Sequence, residues 1–180
     1  MTRSEAIRAQ HLRRMGSHVL AHGLNTASLR PLAQAAGTSD RMLIYHFKSK
    51  ESLISELLGF LANDLQDKLD GAMPSRRART RTGYVKTIIA LLRREPFNRY
   101  MRVWFDIVSA ASQGSEAHRA IGRKMIAGYL SWLEKRLPAG DPDPAASLAV
   151  IFTIIEGVLV MDAVGQSELA DRAVESAFRS

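Results

Sequence analysis

The stretch "SLRPLAQAAGTSDRMLIYHFKSKESL" (28–53) constrains this chain most. It holds two apolar patterns, each about two turns of helix long, with "GTS" between them. Helices shorter than about 12–15 residues are marginal alone in water. Two such helices back to back must brace each other and lean on a third.

The boundaries are written in the residues. Leu29, Leu32, Ala33 and Ala36 follow i, i+3, i+4, i+7 behind Ser28, a good N-cap. Pro31 falls in the first turn, where a missing N–H does no harm. Gly37 stops the helix. Ser39 or Thr38 caps the next, which ends near His46, and Ser49 caps a fourth from about 50 to 71. Upstream, a helix over about 4–21 opens on a Thr2-x-x-Glu5 capping box, turns Ala9, Leu12, Gly16, Val19 and Leu20 inward, and stops at Gly23. Helix, glycine turn, helix is the helix-turn-helix arrangement. Its tight break lets the second short helix project into a DNA major groove, which admits one α-helix.

Helical spacing divides that second helix into two faces. Leu43 and Phe47 point inward together. Arg41, Ile44, Tyr45 and Lys48 share the outer face, again at i, i+3, i+4, i+7. Arg can read guanine, Ile can touch a thymine methyl, and Tyr and Lys can hold phosphates. The charge agrees. The chain carries net +7, and residues 1–50 hold eight Lys and Arg against two acids, so nearly all the excess lies in the first quarter. A basic head on a near-neutral body is the electrostatic footprint of a nucleic-acid binder.

The run "LA-x-AAG-x-S…L-x-x-HF-x-SKE-x-L" within residues 23–53 resembles the DNA-binding segment of the tetracycline-repressor (TetR) family of bacterial transcriptional regulators. The resemblance covers roughly the first third of the chain. It implies a homodimer, with one recognition helix per subunit and a C-terminal helical domain that binds a small effector. It also implies DNA contacts at Arg30, Arg41, Tyr45, His46 and Lys50, with Ser28 at a phosphate. The chain departs from the family at Ile44, where an aromatic is common.

The remainder reads as helix, with no sustained period-two alternation, so the fold class is all-α. A three-helix helix-turn-helix domain occupies 1–48, and a helical-bundle effector-binding and dimerisation domain occupies 49–180. After a break at 71–77, a helix runs to about 94. Phe97, Tyr100, Met101, Trp104, Phe105 and Val108 stripe the next one, and 115–137 is apolar enough to be largely buried. "PAGDPDP" is a loop whose Asp-Pro pairs suit a cap and first helical position. Two helices close the chain, at about 144–164 and at 168–179 behind Ser167. Their apolar residues, Phe178 among them, exceed what one subunit can hide and are assigned to a four-helix dimer interface.

For an effector, the candidates are Met101, Trp104, Phe105, Met125, Tyr129, Phe152 and Glu156. Aromatics and methionines on bundle helices can line a cavity. Asp106 and Glu156 would orient a ligand, and Glu156 needs a partner if buried. His11, His18 and His22 read as surface or groove-edge residues rather than metal ligands, and the run Arg76, Arg77, Arg79, Arg81 as solvated. Cysteine is absent, which removes disulfides and cysteine metal sites. No catalytic constellation, metal site or cofactor motif is found. The apolar stretch 145–165 is interrupted by Glu156 and Asp162, so it reads as a buried helix rather than a membrane span. The partners expected are a double-stranded DNA operator, a small effector and a second copy, in the cytoplasm. The alternative is a helical enzyme or a protein-interaction adaptor with an incidental basic head.

If Ile44 reads a thymine methyl, Ile44→Ala should lose affinity only on duplexes bearing that thymine, by about fourfold for one lost methyl contact of about 0.8 kcal/mol. Titrations against a panel of base-substituted duplexes check this; an equal loss on all of them would end the methyl reading.

Overall fold

The computed structural model describes residues 3–74, 76 and 78–177. Thr2, Arg77 and Phe178 lie outside them. The described residues form nine helices and no strand. In chain order these are α1 (Arg3–His22), α2 (Leu29–Ala36), α3 (Asp40–Phe47), α4 (Lys50–Ala72), α5 (Arg81–Leu92), α6 (Phe97–Ser112), α7 (Glu116–Glu134), α8 (Pro144–Ala163) and α9 (Ser167–Ala177), with a short 3-10 turn, Leu24–Thr26, after α1. They gather into two compact units: Met1–Asp67 with Asn98–Met125, and Lys68–Phe97 with Ile126–Ser180.

In the first unit, α1 packs on α2 and α2 on α3. Met15, Val19, Leu32, Ala36, Leu43, Phe47, Leu53 and Leu57 are buried. Gly16 lets α1 approach α4, since a Cβ there would meet the Phe60 ring at 3.1 Å. The inward stripe of α1 is rotated from the sequence expectation. His11, Met15, Gly16 and Val19 are buried, while Ala9, Leu12 and Leu20 are only half-buried. His11 is therefore not a surface residue. On α6 the buried line runs through Phe97, Tyr100, Met101, Val103 and Ile107, and Val108 is exposed.

In the second unit, Tyr84 is buried and its hydroxyl donates to the Leu133 carbonyl at 2.9 Å. Arg81 is not a solvated cation. It holds Asp141 through two 2.9 Å hydrogen bonds, and Asp141 also accepts from Ser147 Oγ at 2.9 Å, which pins the loop before α8. Asp143 caps α8 by accepting from Ala146 N, with Pro144 at the first helical position, as its sequence suggests. Ser167 opens α9 as its first helical residue rather than as its N-cap.

The long apolar helices are less enclosed than expected. On α7 only Gly122, Trp132 and Leu133 are buried. In α8 the most apolar window averages a hydropathy of 2.0, yet 28% of it is buried. Its inner face carries Ser147, Ile151, Ile155, Val158 and Leu159, while Val150, Val160 and Val164 are exposed, as is Leu169 on α9.

Arg93 ties this pair of helices to the end of α5. Its guanidinium makes two hydrogen bonds to Asp162 at 2.8 and 2.9 Å and one contact to Asp171 at 2.9 Å. Burial raises the Asp162 pKa, but the hydrogen bonds from Arg93 and Ser167 outweigh it and the net shift is downward. A lowered carboxyl pKa stabilises the fold fully above the unfolded value, about 4, and the contribution is lost as pH falls through the folded value. Arg93→Ala should cost about 1–2 kcal/mol, because the pair is only partly shielded from water. That cost should shrink as pH falls through the folded Asp162 value, since a protonated carboxyl no longer holds the guanidinium. Thermal melts from pH 7 to pH 3 check both effects; a cost that stays constant down to pH 3 would show that the Arg93–Asp162 pair contributes nothing to the acid limb.

Candidate nucleic-acid interface

The turn between α2 and α3 is built from backbone chemistry that only a few residues satisfy. Gly37 sits at φ 74, in the left-handed region. Its N–H donates to Gln34 O at 3.1 Å and that of Thr38 to Ala33 O at 3.0 Å, the paired bonds of a Schellman end. Three residues later α3 has begun, with Ser39 Oγ accepting from Met42 N at 3.3 Å. Ser28 sits at the N-cap position of α2 in extended conformation, but its side chain makes no capping bond and is exposed. The hydroxyl that sequence reasoning assigned to the helix is directed to solvent.

α1 then clamps this turn. Arg14 Nη1 donates to the Ala36 carbonyl at 3.0 Å, and a Cβ on Gly37 would come within 2.8 Å of that same nitrogen. Gly37 is required for its φ, and a Cβ there would also displace the Arg14 guanidinium from the Ala36 carbonyl. Arg8 lies 5.1 Å over the Phe47 ring and pairs with Glu56. His11 brings its ring 5.6 Å from that of His46. Burial lowers the His11 pKa; the Ala36 backbone opposes this, and the nearby His46 and Arg14 reinforce it. Arg8, His11 and Arg14 were not singled out as supports of α3. Their partners lie tens of residues away, and no local spacing announces them.

With Leu43 and Phe47 fully buried, the other face of α3 is turned outward. Arg41 and Lys48 are exposed, Tyr45 is 68% exposed, and Ile44 and His46 are half-buried. Arg30 and Lys50 are exposed on the neighbouring helices. The Lys48 ammonium lies 5.9 Å from the Tyr45 ring centre, and His46 meets that ring edge-on at 5.3 Å. All eight residues proposed from the sequence to meet DNA belong to the first compact unit. The result is a cationic surface with one aromatic and one aliphatic group, on a helix whose rear is locked.

Residues 19–57 match the pattern of "Bacterial regulatory proteins, tetR family". That segment of the chain is similar to the DNA-binding part of the TetR family. Over 145 residues it is 26% identical to the HTH-type transcriptional regulatory protein RaaS of Mycobacterium tuberculosis, covering 81% of this chain and 62% of that one. The chain thus spans 62% of the length of the curated relative it matches. A regulator of Streptomyces coelicolor superposes with a TM-score of 0.72 at 20% identity, covering 97% of this chain and 99% of that one. A TetR transcription regulator from Haloarcula marismortui superposes with 0.73 at 14% identity, covering 97% of each. These structural likenesses show that the chain shares their helical fold along nearly its whole length.

The effector candidates divide between the two compact units. Met101, Trp104, Phe105 and Met125 belong to the first, where Met101 is buried and the others are half-buried. Phe105 lines a groove of about 380 Å³ together with Arg102 and Asp106. Tyr129, Phe152 and Glu156 belong to the second. There the Tyr129 hydroxyl is buried without a hydrogen-bond partner. Burial, and then the charge of Glu156, push its pKa upward, so it stays protonated. Asp106 has both oxygens engaged by the turn after α1, not directed to a ligand.

Lys48 holds φ 72, in the left-handed region that side chains adopt at a cost of about 1–2 kcal/mol. Lys48→Gly should therefore raise stability by about 1 kcal/mol. Urea unfolding measures it; a drop in stability would mean that the Lys48 side chain repays the strain through its contacts.

Proposed function

We propose that this chain is a dimeric DNA-binding transcriptional regulator, a ligand-responsive repressor that binds a pseudo-palindromic operator. The observation that carries the reading is the outer face of α3: Arg41, Tyr45 and Lys48 exposed and Ile44 half-buried beside them, while Leu43 and Phe47 are fully buried. Residues 1–48 bind DNA. Arg41 reads a base edge, Ile44 a thymine methyl, and Ser28, Arg30, Tyr45, His46, Lys48 and Lys50 serve the backbone and flanking positions. Residues 49–180 bind the effector and dimerise. The exposed Val150, Val160, Val164 and Leu169 support a self-complementary face on α8 and α9.

Two recognition helices about 34–36 Å apart would meet successive major grooves. α4 begins at Lys50, directly after the head, so a shape change in 49–180 would reach the head through it. A small effector shifts that equilibrium only by its differential affinity for two shapes, typically about 1–3 kcal/mol. In the second unit, the unpartnered Tyr129 hydroxyl beside Glu156, with Phe152 on the same helix, favours an effector carrying a polar group. In the first, Met101, Trp104, Phe105 and Met125 supply apolar surface. The working compartment is the cytoplasm, and the role is not enzymatic.

Fluorescence anisotropy against a duplex selected from the chain's own upstream DNA tests this. Binding should weaken steeply with salt, because phosphate contacts release counterions. Arg41→Ala should cost about 1–3 kcal/mol on the selected duplex and less on others. Equal, weak binding to every duplex would defeat the reading.

A further inference from the structure

The chain between α1 and α2 bends sharply at Gly23, and the geometry of the bend is set from far away. Gly23 takes φ 86 and stands at the N-cap position of the Leu24–Thr26 turn without a side chain to cap it. The missing acceptor comes from α6. Asp106 Oδ2 accepts the Leu24 N–H at 2.8 Å, and Asp106 Oδ1 accepts from Asn25 Nδ2 at 3.1 Å. Asp106 therefore acts as an N-cap delivered from 82 residues downstream. The rest of the turn closes on itself: Thr26 Oγ1 donates to Gly23 O at 2.9 Å, Ala27 N to Leu24 O at 2.9 Å and Ser28 N to Thr26 O at 2.9 Å. A Cβ on Gly23 would stand 3.4 Å from Asp106 Oδ2, an ordinary contact, so it is the φ and not the space that calls for glycine.

The bend delivers the chain directly into the exposed start of α2. Ser28 has its hydroxyl uncommitted within the helix cap, Arg30 is exposed, and the first amides of α2 have no intrahelical acceptor. Helix starts of this kind hold phosphates. Each hydrogen bond of the bend fixes where they sit.

We propose that Asp106 is a positioning residue for DNA binding: its carboxylate sets the Gly23–Ser28 bend and through it the phosphate-facing start of α2. The inference rests on the DNA-binding reading above. Asp106 itself touches no DNA; it acts through Leu24 and Asn25.

The test uses the full chain and a fluorescein-labelled duplex selected from random sequence. Affinity is measured at several salt concentrations, and melting is followed in parallel. Asp106→Ala should weaken binding about tenfold and reduce the slope of log affinity against log salt by about one, the signature of a lost phosphate contact. Asp106→Asn, which keeps one acceptor oxygen, should fall between. Combined with Ser28→Ala, Asp106→Ala should add little, because both disturb one contact. Asn25→Ala, which removes only the second bond, gives a milder version of the same pattern if Asp106→Ala folds poorly. Normal binding by Asp106→Ala, or a loss that adds fully to Ser28→Ala with an unchanged salt slope, overturns the inference while leaving the regulator reading intact. Failure of the unaltered protein to prefer any duplex overturns the reading beneath it, and the inference falls with it.

Discussion

Helices of eight residues do not persist in water, so α2 and α3 exist because apolar side chains hold them to each other and to α1. Leu32 and Ala36 on α2, and Leu43 and Phe47 on α3, lose all contact with solvent. Burying a Leu or Phe side chain is worth about 1.5–3 kcal/mol, which outweighs the low intrinsic stability of either segment. The outward arrangement depends on that burial. A helix whose inner face is fixed has no freedom to rotate, so Arg41, Ile44 and Tyr45 hold a constant presentation.

The polar clamps refine what packing begins. Arg14 bonds the last carbonyl of α2, Arg8 sits over Phe47, and His11 fills the space beneath His46. All three lie on one helix, spaced so that Arg14 meets the end of α2 while Arg8 and His11 meet the end of α3. A basic residue at these places therefore does not simply add to the charge offered to DNA. Part of the positive excess of residues 1–50 is structural, and the outward-facing share includes Arg13, Arg30, Arg41, Lys48 and Lys50.

How much of this was legible depended on whether the signal was local. Gly37, Ser39, Leu43 and Phe47 took the roles that their spacing announced, because caps and helical faces are decided within a few residues. The rotation of α1 was not legible. Leu12 and Leu20 look more apolar than His11 and Gly16, yet geometry against α4 favours a glycine under Phe60 and a ring under His46. For α7 and α8 the composition suggested burial, and one subunit leaves much of each exposed. Composition reports how much surface wants cover and says nothing about which chain provides it. Arg81 with Asp141, and Arg93 with Asp162 and Asp171, were equally hidden, since ion pairs between helices leave no mark in local spacing.

The Asp106 contact changes what counts as the head of this protein. A stretch cut after residue 48 would contain nearly every side chain proposed to meet DNA, yet it would leave the Leu24 amide without its acceptor and Asn25 without its tether. The proposed recognition module is therefore contiguous in its outward face but not in its covalent chain. A graft of these helices onto another scaffold would need to import a carboxylate from outside the grafted segment.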